Sequence, residues 1–193
     1  MGKWGTKDID NNICKVVLFI SRNKDNKNIE NFKQRRFSFL VPEENNYYNL
    51  EEEFQRFANK GVKGETSRCY ISVNPRDLDK VKKALLHKLI DDEDNRMIIN
   101  PLPYIAGIAS LSENRADNKW LIDVDTEDSN IFNNIRSILN ELDVPILEII
   151  GTPNGYHIIT KHGFDSRILK EKYPEYVEIK RDDMKLMYIN KKL

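Results

Sequence analysis

Cysteine is scarce in this chain, with two in 193 residues, Cys14 and Cys69. Each sits in an apolar, strand-like run with no close cysteine or histidine partner, which excludes a disulfide framework and a structural zinc site. No apolar run is long enough to span a bilayer, and the first residues, Met1 to Lys7, lack the apolar core of a secretory signal. Net charge is also missing, because 31 basic residues balance 31 acidic ones. Such a balance offers no whole-molecule attraction to nucleic acid and leaves only local basic patches for that purpose. Internal repeats and low-complexity segments are absent. A cytoplasmic protein is expected, with one domain or two small modules sharing a core and no membrane partner.

What is present is a succession of short apolar strands and amphipathic helices. Residues 15–20 are apolar and β-branched and read as a buried strand. Residues 21–28 are polar and turn-rich, and a mobile loop is expected there. Residues 35–41 alternate as a second strand, ended by Pro42. A helix is predicted over 50–59, with Asn49 capping its start, Phe54, Phe57 and Ala58 lining one face, and Gly61 just beyond its end. Residues 69–73 form the next strand. Asn74 and Pro75 then suit the cap and first turn of a helix with Leu78, Val81, Leu85 and Leu89 on one stripe. Residues 91–95 read as an acidic loop.

The second half has a clearer rhythm. Residues 120–125 form a strand. Ile131, Phe132, Ile135, Ile138, Leu139 and Leu142 follow at helical spacing and stop before Pro145. Two strands, 146–150 and 156–160, flank Gly151-Thr-Pro-Asn-Gly155, where Asn and Gly tolerate positive φ. A short helix over 165–172 and two final strands, 176–179 and 185–189, complete the chain, with Asp182 and Asp183 expected in a hairpin turn. The order strand, helix, strand, hairpin strand resembles the βαββ core of ferredoxin-like and RNA-recognition folds.

Chemistry is concentrated in that half. Side chains two apart on a strand share a face, so Asp123 and Asp125 project together while Ile122 and Val124 point into the core. Two adjacent carboxylates repel each other, and a divalent cation is the usual remedy. Hard oxygen ligands select Mg²⁺ or Mn²⁺ over zinc. For an Asp-x-Asp taken alone, a strand end whose aspartates cap the following turn or helix is the commoner reading. His157 follows the Pro-Asn-Gly turn and faces away from Tyr156 and Ile158. A histidine there suits a phosphate or a ligand, or simply a backbone hydrogen bond. Glu178, between Val177 and Ile179, is either a further acidic ligand or an ordinary solvent-facing strand position.

Taken together, Leu121-Ile-Asp-Val-Asp125, Gly155-Tyr-His157 and Val177-Glu178 resemble the three motifs of the archaeo-eukaryotic primase superfamily, in order and spacing, over about residues 104–190. The resemblance implies an α/β (α+β) fold, with an N-terminal α/β module over about 1–103 packed on an RNA-recognition-motif-like module over about 104–193. It implies that Asp123, Asp125 and Glu178 are catalytic and hold Mg²⁺ or Mn²⁺, and that His157 contacts the triphosphate of an incoming nucleotide. The family's third motif is more often aspartate than glutamate. The zinc-binding insert and helical C-terminal domain of larger members are not found, as in the stripped-down versions carried by phages and mobile elements.

The implied activity is that of a minimal primase or primase-polymerase, joining nucleoside triphosphates on a single-stranded DNA template. A partner such as a replicative helicase is expected for initiation. Lys161, four residues after His157, is a second candidate for the triphosphate, or plain surface charge. Arg68 and Arg76 flank a strand end and helix start and are candidates for nucleotide binding. Arg35, Arg36, Lys82 and Lys83 are available to a template, as is the basic stretch 24–36. Trp4, Tyr47 and Tyr48 suit either base stacking or core packing. The other readings are a metal-dependent nuclease or phosphoesterase using the same carboxylates, and a non-catalytic RNA-recognition-like module. The aromatic-rich strands of the latter are absent.

Overall fold

The structure, a computed structural model, describes residues 12–43, 49–91 and 95–192. Trp4, Tyr47, Tyr48 and most of the acidic loop lie outside these. Among the described residues the fold is mixed α and β, with two antiparallel sheets and six helices. No helix among them is long and apolar enough to cross a membrane.

The chain divides into two compact units. The first runs to Cys69, resumes from Pro75 to Ala116 and ends with the residues from Tyr188 onward, while the second takes Tyr70–Asn74 and Asp117–Met187. Strands β1 (Ile13–Ser21), β2 (Arg35–Pro42), β3 (Thr66–Ser72), β4 (Arg76–Asp77) and β9 (Met184–Lys191) make one sheet, in the order β2-β1-β3-β9 with β4 paired to β1. The division between the units falls within β3 and β9.

In the first unit an aromatic core forms around Phe19, whose ring centroid lies 5.3 Å from that of Phe39 and 5.5 Å from that of Phe54. Phe54 comes from α1 (Leu50–Asn59), which has the predicted bounds. Its start differs from expectation. Asn49 sits in the left-handed region at φ 75° and makes no side-chain cap; its carbonyl accepts from the Glu53 N–H instead. A Cβ at Gly61 would press on the end of the Glu65 side chain, whose carboxylate would lie 2.6 Å away.

The second helix is also displaced. Asn74 is fully buried, and its amide binds Lys119 and Asp182. It therefore cannot cap a helix. Arg76 and Asp77 extend as β4, and α2 (Leu78–Asp91) begins under the Asp77 carboxylate, which accepts from the Asp79 and Lys80 N–H groups. Two helices were not anticipated, α3 (Arg96–Ile99) and α4 (Pro101–Ala109), although Asn100 and Pro101 carry the cap and first-turn pattern.

The expected mobile loop is pinned instead. Asn26 is buried; its side-chain amide donates to Thr66 O and Arg22 O, and its Oδ1 accepts from the Thr66 N–H. Asp25 beside it is gripped by both Arg22 and Arg68.

The second unit carries the other sheet: β5 (Trp120–Val124), β6 (Ile146–Thr152), β7 (Gly155–Thr160) and β8 (Val177–Lys180), in the order β6-β7-β5-β8. Helix α5 (Ser129–Glu141) follows β5, and α6 (Arg167–Lys172) lies between β7 and β8. Asp128 caps α5 by accepting from the Asn130 N–H at 2.8 Å. The helix ends with Asp143 in the left-handed region and the Val144 N–H bonded back to Leu139 O, a Schellman closure before Pro145.

Ile135, Ile138 and Leu139 of α5 and Leu169 of α6 pack with Ile122, Val124, Ile158 and Val177 as one core. Both helices thus cover the same sheet face. By strand alternation Leu121, Asp123, His157, Ile159, Glu178 and Lys180 occupy the other. The expected hairpin of the last two strands is not formed, because β8 pairs with β5 and β9 pairs with β3.

Candidate functional site

The site follows from strand register. Asp123 on β5 lies directly opposite His157 on β7 and directly opposite Glu178 on β8. Cross-strand partners share a face, so residues 34 and 55 positions from Asp123 in sequence fall into one transverse row. The next row on that face contains Ile159, Leu121 and Lys180. Leu121 and Ile159 pack with Val73 into a small apolar cluster that borders the polar row.

Gly155 is what lets β7 begin so close to the end of β5. A Cβ on it would stand 1.9 Å from the Val124 carbonyl oxygen and 2.7 Å from the Thr126 nitrogen. In the Pro-Asn-Gly turn only the glycine has positive φ; Asn154 does not adopt it.

Lys180 was not anticipated as a site residue, yet it is central to the electrostatics. Its Nζ donates to Asp123 Oδ2 at 3.0 Å and lies 3.4 Å from both Glu178 Oε2 and Asp183 Oδ2. The spacing Glu178-x-Lys180 on a strand already places both on one face. The position diagonal to Asp123 is within reach of a long side chain. Asp183, expected as a simple turn residue, also accepts the Val73 N–H at its carbonyl.

His157 is 7% exposed, with Nε2 3.4 Å from Asp123 Oδ1, while its Nδ1 is buried and has no hydrogen-bond partner. Burial would raise the Asp123 pKa. Hydrogen bonds from His157 and Lys180 and the Lys180 charge outweigh it and bring the pKa down to about 2. For Lys180, burial opposes the charge. The hydrogen bond and charge of Asp123 dominate, joined by Asp183 and Glu178, so its pKa is raised.

The other expected residues are placed as follows. Asp125 is exposed, one residue beyond β5, and its N–H donates to Tyr176 O at 2.8 Å. Lys161 is exposed immediately after β7, its N–H bonded to Pro145 O. Arg68 and Arg76 belong to the first unit. Arg68 forks onto both oxygens of Asp25 at 2.9 Å. Arg76 is 3% exposed in β4, opposite Cys14. Arg35, a template candidate, is paired with Glu65.

As a cation site the donor set is oxygen-rich and hard, which suits Mg²⁺ or Mn²⁺. Asp123 and Glu178 already converge on one cation, the Lys180 ammonium. Among the described residues, no group of three or more His, Cys, Asp or Glu side chains is arranged to hold a metal ion. The fit therefore rests on Asp123 and Glu178, the pair that shares a face, with His157 Nε2 3.4 Å from Asp123 Oδ1. Compared with models of protein families, with curated proteins and with solved structures, the chain finds no match.

Proposed function

We propose that the protein is a minimal primase-like nucleotidyltransferase, joining nucleoside triphosphates on a single-stranded DNA template with Mg²⁺ or Mn²⁺. The observation that carries this reading is the single row His157, Asp123, Glu178 across β7, β5 and β8. Three short motifs, each ambiguous alone, supply one residue apiece to that row. The strand order adds support. A β-α-β-β-α-β chain ordered β6-β7-β5-β8 has the arrangement of ferredoxin-like and RNA-recognition modules.

Asp123 and Glu178, with Asp125 close by in sequence, would hold a divalent cation, which would supply charge neutralisation for a departing pyrophosphate and a more acidic primer hydroxyl. The chain's own residues do the rest. Asp123 stays ionised throughout the physiological range because its pKa is held near 2. His157, wedged beside it, keeps Asp123 oriented and offers its ring to a phosphate oxygen. Lys161 adds a point charge for the same triphosphate at the end of β7. A helicase partner for initiation belongs to this reading.

The test is incorporation of labelled nucleotides on a primed single-stranded template with Mn²⁺. Wild type is expected to give template-dependent products. Asp123→Asn should lower them by about a hundredfold or more, the usual scale for removing a group that stabilises transition-state charge. Degradation of the template without incorporation would replace this reading with a metal-dependent phosphoesterase. Binding of nucleic acid with neither outcome would leave a non-catalytic module.

A further inference from the structure

We propose that Lys180 is a built-in cation of the carboxylate site, whose ammonium and a divalent metal ion exclude one another, so that metal affinity is set by an ion exchange inside the protein. The inference rests on the metal-dependent reading above and names the residue that tunes it.

The geometry is specific. Three carboxylates, Asp123 on β5, Glu178 on β8 and Asp183 just after β8, lie 3.0 to 3.4 Å from a single Nζ. Without that charge Asp123 and Glu178, direct cross-strand partners, would face one another uncompensated. The ammonium therefore does in the metal-free protein what a bound metal would do. Both cannot do it at once. A divalent ion draws oxygen ligands to about 2.0–2.2 Å and uses the same lone pairs that accept from Nζ. A metal beside an undisplaced Lys180 would place like charges within about 4 Å, a repulsion on the order of a thousandfold or more in affinity even at an effective dielectric near 20.

Lysine is suited to leaving. Its charge is a compact point on a flexible four-carbon stem, so it can vacate the carboxylates without moving β8. A second observation falls on the side chain next to Asp123. The His157 ring, 7% exposed and 3.4 Å from Asp123, has its Nδ1 buried without a hydrogen-bond partner. An orphaned buried polar atom of that kind is rare and calls for its own explanation.

The experiment is Mn²⁺ titration by calorimetry of wild type, Lys180→Met and Lys180→Arg at fixed pH and ionic strength. Lys180→Met removes the charge but keeps the stem, and is expected to bind Mn²⁺ about tenfold tighter or more. Lys180→Arg keeps the charge and should bind no better than wild type. Equal affinity in wild type and Lys180→Met would overturn the competition while leaving a metal site in place. Absence of binding in all three would overturn both the competition and the metal-dependent reading.

Wild type provides a check that needs no variant. In protein labelled at lysine Cε and Nζ, Mg²⁺ should shift the Lys180 resonance, whereas K⁺ at the same ionic strength should not. Mg²⁺ binding with an unmoved Lys180 signal would sink the idea.

Discussion

The two faces of the β6-β7-β5-β8 sheet are built from alternate residues of the same strands, yet they obey opposite rules. One face is closed by α5 and α6 over Ile122, Val124 and Ile158, each with no exposed surface. The other carries a carboxylate, a histidine, a glutamate and a lysine in two adjacent rows, beside a three-residue apolar cluster. The first face holds the fold by burial. The second retains polar groups, including a buried nitrogen without a partner. These polar groups are the ones on which the proposed function rests.

The contrast can be broken from the apolar side first. Ile158→Ala should destabilise the protein by about 2–5 kcal/mol, the range for cavities in a packed core. Chemical denaturation would measure it, and a loss below about 1 kcal/mol would mean that this face is not the core. Gly155→Ala tests the boundary between the faces. With the Val124 carbonyl 1.9 Å from the new methyl, backbone must move, and a cost of about 1–3 kcal/mol is expected. Because the displaced segment, Val124 to Thr126, directly follows Asp123, that variant should also lose Mn²⁺ affinity; unchanged stability would refute the close approach.

The polar face should respond least in stability and most in pH dependence. Asp123→Asn is expected to cost about 1 kcal/mol at neutral pH, the net worth of a partly screened charged hydrogen bond. The sign follows from the lowered pKa: the folded value is about 2 against 3.8 for the free side chain. The stability difference between wild type and variant should therefore be fully present above pH 4 and fade as pH falls toward 2. A difference that persists below pH 2 would locate its origin elsewhere.

Much of the second unit was legible from residue patterns. Strand β7 and helix α5 follow directly from period-two and helical spacing, and Pro145 marks the stop. Motif order grouped Asp123, His157 and Glu178, and the register places them in one row. Less was legible in the first half. Asn74 has the composition of a helix cap, but its amide serves Lys119 and Asp182, residues at least 45 positions away. The stretch 21–28 has loop composition, but Asn26 and Asp25 tie it to Thr66 and Arg68. Side-chain partners that distant leave no local signature.

Lys180 shows where that limit falls at the site itself. Glu178-x-Lys180 on a strand dictates a shared face, which is a local consequence of alternation. That the lysine would lie diagonal to Asp123 rather than in solvent depends on β8 pairing with β5 in one register. Hydrophobic pattern along the chain determined which elements form and which residues each strand turns to its core. Only the tertiary pairing decided which charges meet, because the cation at the carboxylate pair comes from a strand 57 residues away.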